Sequence, residues 1–196
     1  DVFDVERLAA VLADARPELV LHELTDLAHK DFEGNARLRR EGTENLVSAS
    51  LAAGVPRMMA QSIAWSFEEG DGPATDETRA LSGSAVEALE TVVQRMPHAT
   101  VLRYGMLYGP GTWYASDGPF AEMVRAGGQP ATAAITCFLH VDDAAAATVE
   151  AIGWPDGTYN LVDDEPAAGT VWLPEYAAGL GAPRPSVDHE VAASGR

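Results

Sequence analysis

Lysine occurs once in this chain of 196 residues, at position 30, and cysteine once, at Cys137. A single cysteine excludes an internal disulfide and any multi-cysteine metal centre; no metal site is expected, and the cytoplasm is the expected compartment. Basic residues are scarce throughout, with 13 Lys and Arg against 30 Asp and Glu and a formal net charge of −17. That balance argues against a nucleic-acid partner, whose phosphates need a basic surface, and equally against docking on anionic lipid. No apolar run approaches membrane-spanning length, and no basic-then-apolar leader opens the sequence. A G-x-S-x-G nucleophile elbow is absent, so serine-triad hydrolysis lacks its turn. Missing too is a glycine-rich turn from strand to helix. The glycines at 70–72, at 83 and at 109–111 lie in loops unsuited to receive a pyrophosphate.

What remains has the composition of an ordinary globular protein, 46% hydrophobic and 22% charged, long enough for one packed domain with a small added lobe. Asp4 caps a helix that carries Val5, Leu8, Ala9 and Leu12 on one face, and Pro17 ends it. Apolar runs at 19–24 (LVLHEL), 57–65, 99–105, 136–141 and 158–162 read as strands. Helical periodicity is expected over 35–53, over 81–93, in the short segment 120–126, from Asp142 to Ile152, and around VWLPEYAAGL. In the helix after His140, Val141, Ala145, Thr148, Val149 and Ile152 are expected to face inward. Ser84 and Glu87 form a capping box for the helix that carries Val86, Leu89, Val93 and Met96. Strands alternating with helices predict a parallel sheet covered on both faces, with ligands at the carboxyl ends of its strands. That directs attention to 23–27, 61–65, 104–111 and 140–143.

Taken in order, LVLHELTDL, REGTENLVSASLAAGVPR, AQSIAW, VLRYGMLYGPGT, CFLHVDDAAAA and GTYNLVDDEP, preceded by DVFD, resemble the NAD-dependent epimerase/dehydratase family. These are the extended and atypical short-chain dehydrogenases/reductases. The resemblance implies an α/β, Rossmann-like doubly wound parallel sheet, missing its first strands, with a small C-terminal substrate lobe. On this reading residues 1–150 form a partial dinucleotide-binding domain, with 106–135 contributing to the substrate lobe. Residues 151–181 add a strand and helix, and 182–196 are a loose tail. The family's pyrophosphate-binding glycine turn would precede Asp1, so the chain reads as an N-terminally truncated fragment.

The family's cofactor contacts for NAD or NADP fall on Asp1 and Val2 at the adenine and on Glu23, Leu24 and Thr25 along the ribose and pyrophosphate. Gln61 and Ser62 fall beneath the nicotinamide, and Tyr104, Gly105 and Met106 flank its ring. The catalytic pattern departs from the family. Its Tyr-x-x-x-Lys would place Tyr at Ser82 and Lys at Val86, with Glu90 at the following acidic position, and no Y-x-x-x-K occurs anywhere. The family's catalytic hydroxyl falls on Ile63, leaving Ser62 as a candidate by a one-residue shift, and the family's Asn falls on Arg39. Helix 81–93 is therefore expected to be scaffold.

Tyr108, Trp113 and Tyr114 are candidates for an aromatic substrate pocket, with a merely packed loop as the alternative. His140 with Asp142 and Asp143 reads more readily as a helix start than as a catalytic or metal pair. His22 reads as a packed core histidine and Arg103 as half of an internal ion pair. The function expected is an atypical NAD(P)-dependent reductase or epimerase/dehydratase-like enzyme. Its substrate is a small molecule, aromatic by the loop 108–114, handled without the usual Tyr/Lys pair, and a homodimer is compatible with the fold. A non-catalytic dinucleotide-binding module and an inactive fragment are the alternatives.

Overall fold

The computed structural model describes residues 1–26, 31–67 and 74–188; Lys30 and the acidic stretch 68–73 lie outside them. In chain order the elements are α1 (Val5–Ala15), β1 (Leu19–His22), α2 (Phe32–Arg37), a π-helical turn (Leu38–Gly42), α3 (Thr43–Ala52) and β2 (Arg57–Ile63). There follow α4 (Ala85–Val93), β3 (His98–Tyr104), β4 (Met106–Tyr108), α5 (Pro119–Arg125), β5 (Ile135–Thr136), β6 (Phe138–His140) and α6 (Val141–Glu150). A 3-10 turn (Ala151–Gly153), β7 (Gly157–Leu161), β8 (Ala167–Ala168) and α7 (Gly169–Gly179) complete the described chain. Two compact units emerge: Asp1–Arg103 with Ala151–Asn160, and Tyr104–Glu150 with Leu161–Arg196.

The first unit is built on a sheet in the order β1-β2-β3-β7, with β1 and β2 parallel in register from Leu19↔Arg57 to His22↔Ala60. Two adjacent parallel strands need a crossover, and α2, the π turn and α3 supply it. The core joins Val47 of α3, Met58 and Ala60 of β2, Leu89 and Val93 of α4 and Val101 of β3. Burial of nearly every residue of β2 and β3 accounts for their lack of apolar–polar alternation, as in parallel strands covered on both faces. Ser84 caps α4 by accepting the Glu87 amide at 3.0 Å, and the Glu87 carboxylate takes the Gly83 amide at 2.7 Å. Arg57 on β2 donates to the carbonyls of Ala151, Ile152 and Trp154, which fastens the 3-10 turn and β7 to this unit.

In the second unit β4 pairs with β6 in parallel and β5 with β8 in antiparallel fashion. The strand expected over 136–141 is thus two short strands interrupted at Cys137, and helix α6 begins at Val141. Gly105 permits this arrangement: a Cβ there would stand 2.8 Å from the Cys137 carbonyl and 2.9 Å from that of Phe138. A small core of Val124, Ala131, Leu173 and Ala177 packs α5 against α7. The tail expected to hang loose is tied down as far as Asp188, since the Ala131 amide donates to Ser186 and the Asp188 amide to Ala131.

Two expected faces are corrected. Val149 is 67% and Ile152 49% exposed, while Ala144 is buried. The Thr148 hydroxyl turns inward to Tyr104, so small side chains set the packed face of α6 instead of the larger aliphatics. In α1, Val5 is likewise 51% exposed, and only Leu12 is fully covered.

Candidate functional site

At the carboxyl end of β1, His22 is 1% exposed and its Nε2 lies 2.9 Å from the Thr43 hydroxyl on α3. Its Nδ1 accepts the Leu24 amide at 3.4 Å, so the proton resides on Nε2, which donates to Thr43. Burial, and then the positive charge of Arg39, lower the His22 pKa from 6.5 to about 4, leaving a neutral ring near pH 7. This histidine is a structural clasp between β1 and α3.

Beyond it the chain leaves the sheet with Glu23, Leu24 and Thr25 exposed. The Asp26 amide is fixed by the buried Asn35 side chain at 3.0 Å. Asp1 lies on the turn before α1, where one carboxylate oxygen accepts the Phe3 amide at 2.9 Å. The Val2 carbonyl is held by Asn45 of α3 at 3.0 Å. Val2 also packs where a Cβ on Gly42 would come within 3.0 Å of it, so the π turn and the N-terminal segment meet closely.

At the end of β2 the Gln61 side chain donates to the Ser62 carbonyl at 2.8 Å. Ser62 is buried, and its hydroxyl donates to Glu90 on α4 at 2.6 Å. Glu90 is also gripped by Arg103 of β3, through Nε at 2.8 Å and Nη2 at 2.7 Å, while Arg103 Nη1 reaches the Thr78 carbonyl at 2.7 Å. Arg103 and Glu90 side chains are only 4% and 12% exposed. The network locks β2, β3, α4 and the segment before α4 together, and the Ser62 hydroxyl is committed to it. Val86, one turn before Glu90, packs against Ile63 and Ala80 and carries no charge.

In the second unit, five aromatic side chains line a cleft of about 440 Å³: Tyr108, Tyr114, Phe138, Trp172 and Tyr176. Tyr114 meets Phe138 edge-on at 5.3 Å between ring centres, and Phe138 meets Trp172 edge-on at 5.1 Å. Burial raises the Tyr114 pKa, and raises that of Tyr176 against the opposing effect of Arg125. The remaining described lining residues are Asp163, Asp164 and Glu165, and among the described residues no Lys or Arg lines the cleft. Desolvation and then the neighbouring Asp163 carboxylate raise the Tyr108 pKa. The lining is therefore apolar in its walls and negative at its polar edge.

Of the expected pocket residues Tyr108 and Tyr114 line this cleft and Trp113 does not. Phe138, Trp172, Tyr176 and the three carboxylates escaped sequence reasoning. The i,i+4 spacing of Trp172 and Tyr176 and the acidic run after β7 are the signals that could have found them. Tyr104 is buried, with its hydroxyl 2.5 Å from Thr148 of α6, and Met106 opens β4. His140 accepts the Asp142 amide through Nδ1 at 3.2 Å, and Asp142 and Asp143 lie in the first turn of α6. Among the described residues no cluster of His, Cys, Asp and Glu could hold a metal, and no helix is long and apolar enough to cross a membrane.

Comparison with known proteins places these features. A 3-diazoavenalumate denitrifying reductase from a Streptomyces species is 44% identical over 207 residues, spanning 94% of this chain and 68% of that protein. The chain belongs to the NAD-dependent epimerase/dehydratase family. Among solved members, the Bordetella bronchiseptica enzyme WbmG with NAD and UDP superposes with a TM-score of 0.73 at 21% identity, over all of this chain and 66% of that one. A Bacillus anthracis dTDP-4-dehydrorhamnose reductase with NADP gives a TM-score of 0.71 at 17% identity, over all of this chain and 74% of that one. The chain thus spans about two thirds of the length of these relatives. No family model matches it. The structure puts Ser82 in the turn before α4 and Val86 in the first turn of that helix.

Proposed function

We propose that this chain is part of a nicotinamide-dependent reductase that acts on a small aromatic substrate without a Tyr/Lys proton donor. The aryl diazonium or diazo acid is the substrate class this reading favours. The observation that carries it is the cleft of the second unit. Its five aromatic walls offer π faces to a ring, and its polar edge is wholly carboxylate. A nucleoside diphosphate would bring two or more negative charges against Asp163, Asp164 and Glu165, with no cation among the described lining residues to meet them. The nucleotide-sugar chemistry of the solved relatives therefore does not suit this cleft, whereas an uncharged or cationic arene does.

The donor set of the first unit fits a nicotinamide dinucleotide in part. Asp1 has a carboxylate suited to an exocyclic amine, and exposed Leu24 and Thr25 offer an apolar and a hydroxyl contact along a ribose. Among the described residues no glycine-rich helix start supplies amides to a pyrophosphate. When bound, the cofactor supplies a hydride, and exchange of a diazonium group for hydrogen needs only that, the C–N electron pair leaving with N2 and no proton being consumed. The chain's own residues hold and shield. The aromatic walls orient the ring and exclude water, which would otherwise convert a diazonium to a phenol. The carboxylates favour the cationic form. Val86 packs the helix where other members place a cation, and Ser62 is held by Glu90. The absence of Tyr and Lys thus accords with a reaction that requires no general acid.

The second reading, a non-catalytic dinucleotide-binding module, draws on the same uncharged Ser82 and Val86. One assay separates them: the protein with NADH or NADPH and benzenediazonium, followed by benzene formation and N2 release. Nucleotide-dependent benzene formation is expected, with UDP neither binding nor inhibiting. Nucleotide binding without turnover would establish the module, and micromolar UDP binding would overturn the reading of the cleft.

A further inference from the structure

In the second unit one bond ties two walls of the aromatic cleft together. Between β4 and α5 the chain from 109 to 118 lies in neither helix nor strand. It closes on itself at Gly118, where a Cβ would stand 2.6 Å from the carbonyl oxygens of Thr112 and Trp113. The Phe120 amide donates to that Trp113 carbonyl at 3.1 Å. The next three carbonyls along the loop accept from side chains of two helices. The Tyr176 hydroxyl of α7 lies 3.2 Å from the Tyr114 oxygen and 3.3 Å from that of Ala115, a three-centre bond. Arg125 of α5 donates to the Ser116 oxygen at 2.9 Å.

Of these two donors Tyr176 also lines the cleft, and so does Tyr114, whose backbone it holds. The Tyr114 ring is set against Phe120 at 4.7 Å, Phe138 at 5.3 Å and Trp172 at 6.1 Å between centres. A phenylalanine at 176 would give the same apolar wall. The phenol adds one donor, and the fold directs it to the backbone of the loop. Such a bond fixes a separation as well as adding energy, because it weakens steeply once stretched or bent. The spacing between the α7 wall, Trp172 and Tyr176, and the loop wall, Tyr114, therefore hangs on one hydroxyl.

We propose that Tyr176 is a positioning residue that sets the width of the cleft, its hydroxyl holding the loop wall close enough to select a flat ring over a puckered one. The proposal rests on the reductase reading for the identity of the ring-bearing substrate. A planar ring is the thinnest six-membered body a cleft can take, and it offers a π face to aromatic walls. A saturated ring of equal charge is thicker and has no such face. Admitting it means moving the loop wall away from α7, against the Tyr176 bond. Without the hydroxyl that wall can give.

The test is binding to the protein without cofactor, so its outcome is independent of turnover. The probes are the flat 1-methylpyridinium and the puckered 1,1-dimethylpiperidinium, each a six-membered ring with one positive charge. Both are titrated into wild type, Tyr176→Phe and Arg125→Gln, and the melt of each protein is recorded. Wild type should bind the flat cation about tenfold tighter than the puckered one. Tyr176→Phe keeps the ring wall, and its ratio should fall to about threefold or less through tighter binding of the puckered cation. Damage to the fold would instead weaken both probes. Arg125→Gln removes the other anchor of the loop from outside the cleft lining and should leave the wild-type ratio unaltered. Equal ratios in wild type and Tyr176→Phe overturn the proposal. So does weakening of both probes together, an equal change of ratio in Arg125→Gln, or a Tyr176→Phe melt too low to titrate, since the hydroxyl would then serve the fold. Binding of neither cation to wild type would remove the reading of the cleft as well. A ratio that moves as expected in a protein that reduces no diazonium would leave the role of Tyr176 standing and remove the reductase.

Discussion

Glu90 and Arg103 form a two-armed ion pair at 2.7 and 2.8 Å inside the first unit, with Ser62 as a third partner. Removing one side leaves the other charge buried and uncompensated. Arg103→Met or Glu90→Gln should each destabilise the chain by about 3–5 kcal/mol, in line with broken buried pairs. The double variant should recover part of the loss, because both charges are then gone. Chemical denaturation of the three proteins measures this. Additive losses in the double variant would show that the two groups are not coupled.

His22 gives the first unit an acid limit. Its pKa is lowered from 6.5 to about 4 by burial and by Arg39. Between those values the unfolded chain binds a proton that the folded chain refuses, so stability rises with pH across this window. It is fully present above about 6.5 and lost as pH falls toward 4, a loss of about 3 kcal/mol. Denaturation at a series of pH values should show that slope, and His22→Gln should flatten it. An unchanged slope in His22→Gln would assign the acid sensitivity elsewhere.

The helix that carries Val86 should behave as scaffold. Val86→Ala removes two methyl groups from the contact with Ile63 and Ala80 and should cost about 1–3 kcal/mol in stability. Any reductase activity should remain within about tenfold of the starting protein. Ser82→Ala should likewise leave the rate within that range, since an unassisted hydroxyl cannot supply the ~10²–10⁴-fold of a tuned acid. A thousandfold fall in kcat for Ser82→Ala with an unaltered melt would return the helix to the active site.

The local code of this fold was open to reading where backbone chemistry alone decides it. The Ser84–Glu87 box, the inward Val86, Leu89 and Val93, and the continuous runs of β2 and β3 follow from capping and periodicity. The face of α6 was not legible, because four consecutive alanines, Ala144 to Ala147, give no hydrophobic contrast, and the Thr148–Tyr104 contact chose the orientation. The π turn was equally invisible: nothing in LRREG marks the extra residue that buries Arg39. The aromatic residues of the loop 108–114 were visible as a group, and two of them, Tyr108 and Tyr114, line the cleft. Trp172 and Tyr176 arrive in the cleft from α7, more than fifty residues further along the chain: their i,i+4 spacing marks a shared helix face, but nothing local says that this face meets Tyr114 and Phe138.

The cleft's charge leads to the remaining prediction. Trp172 stands edge-on to Phe138, and Asp164 and Glu165 supply negative charge at the same opening. Phenyltrimethylammonium and its neutral isostere tert-butylbenzene present the same shape with and without charge, so their difference in affinity isolates electrostatics. The cation should bind more tightly to the wild type, and the preference should shrink as salt is raised from 0.01 to 1 M, over which the screening length falls from about 30 to 3 Å. Asp164→Asn with Glu165→Gln should remove most of the salt-sensitive part while leaving tert-butylbenzene binding unaltered. Trp172→Leu should weaken both ligands. It should take a further ~0.5–2 kcal/mol from the cation, since an indole face attracts positive charge beyond its apolar area. Fluorescence titration of each variant reads these terms separately. A wild-type cleft that binds both ligands equally at low salt would show that its carboxylates are too well hydrated to select a cation, and the aromatic walls alone would then set the substrate.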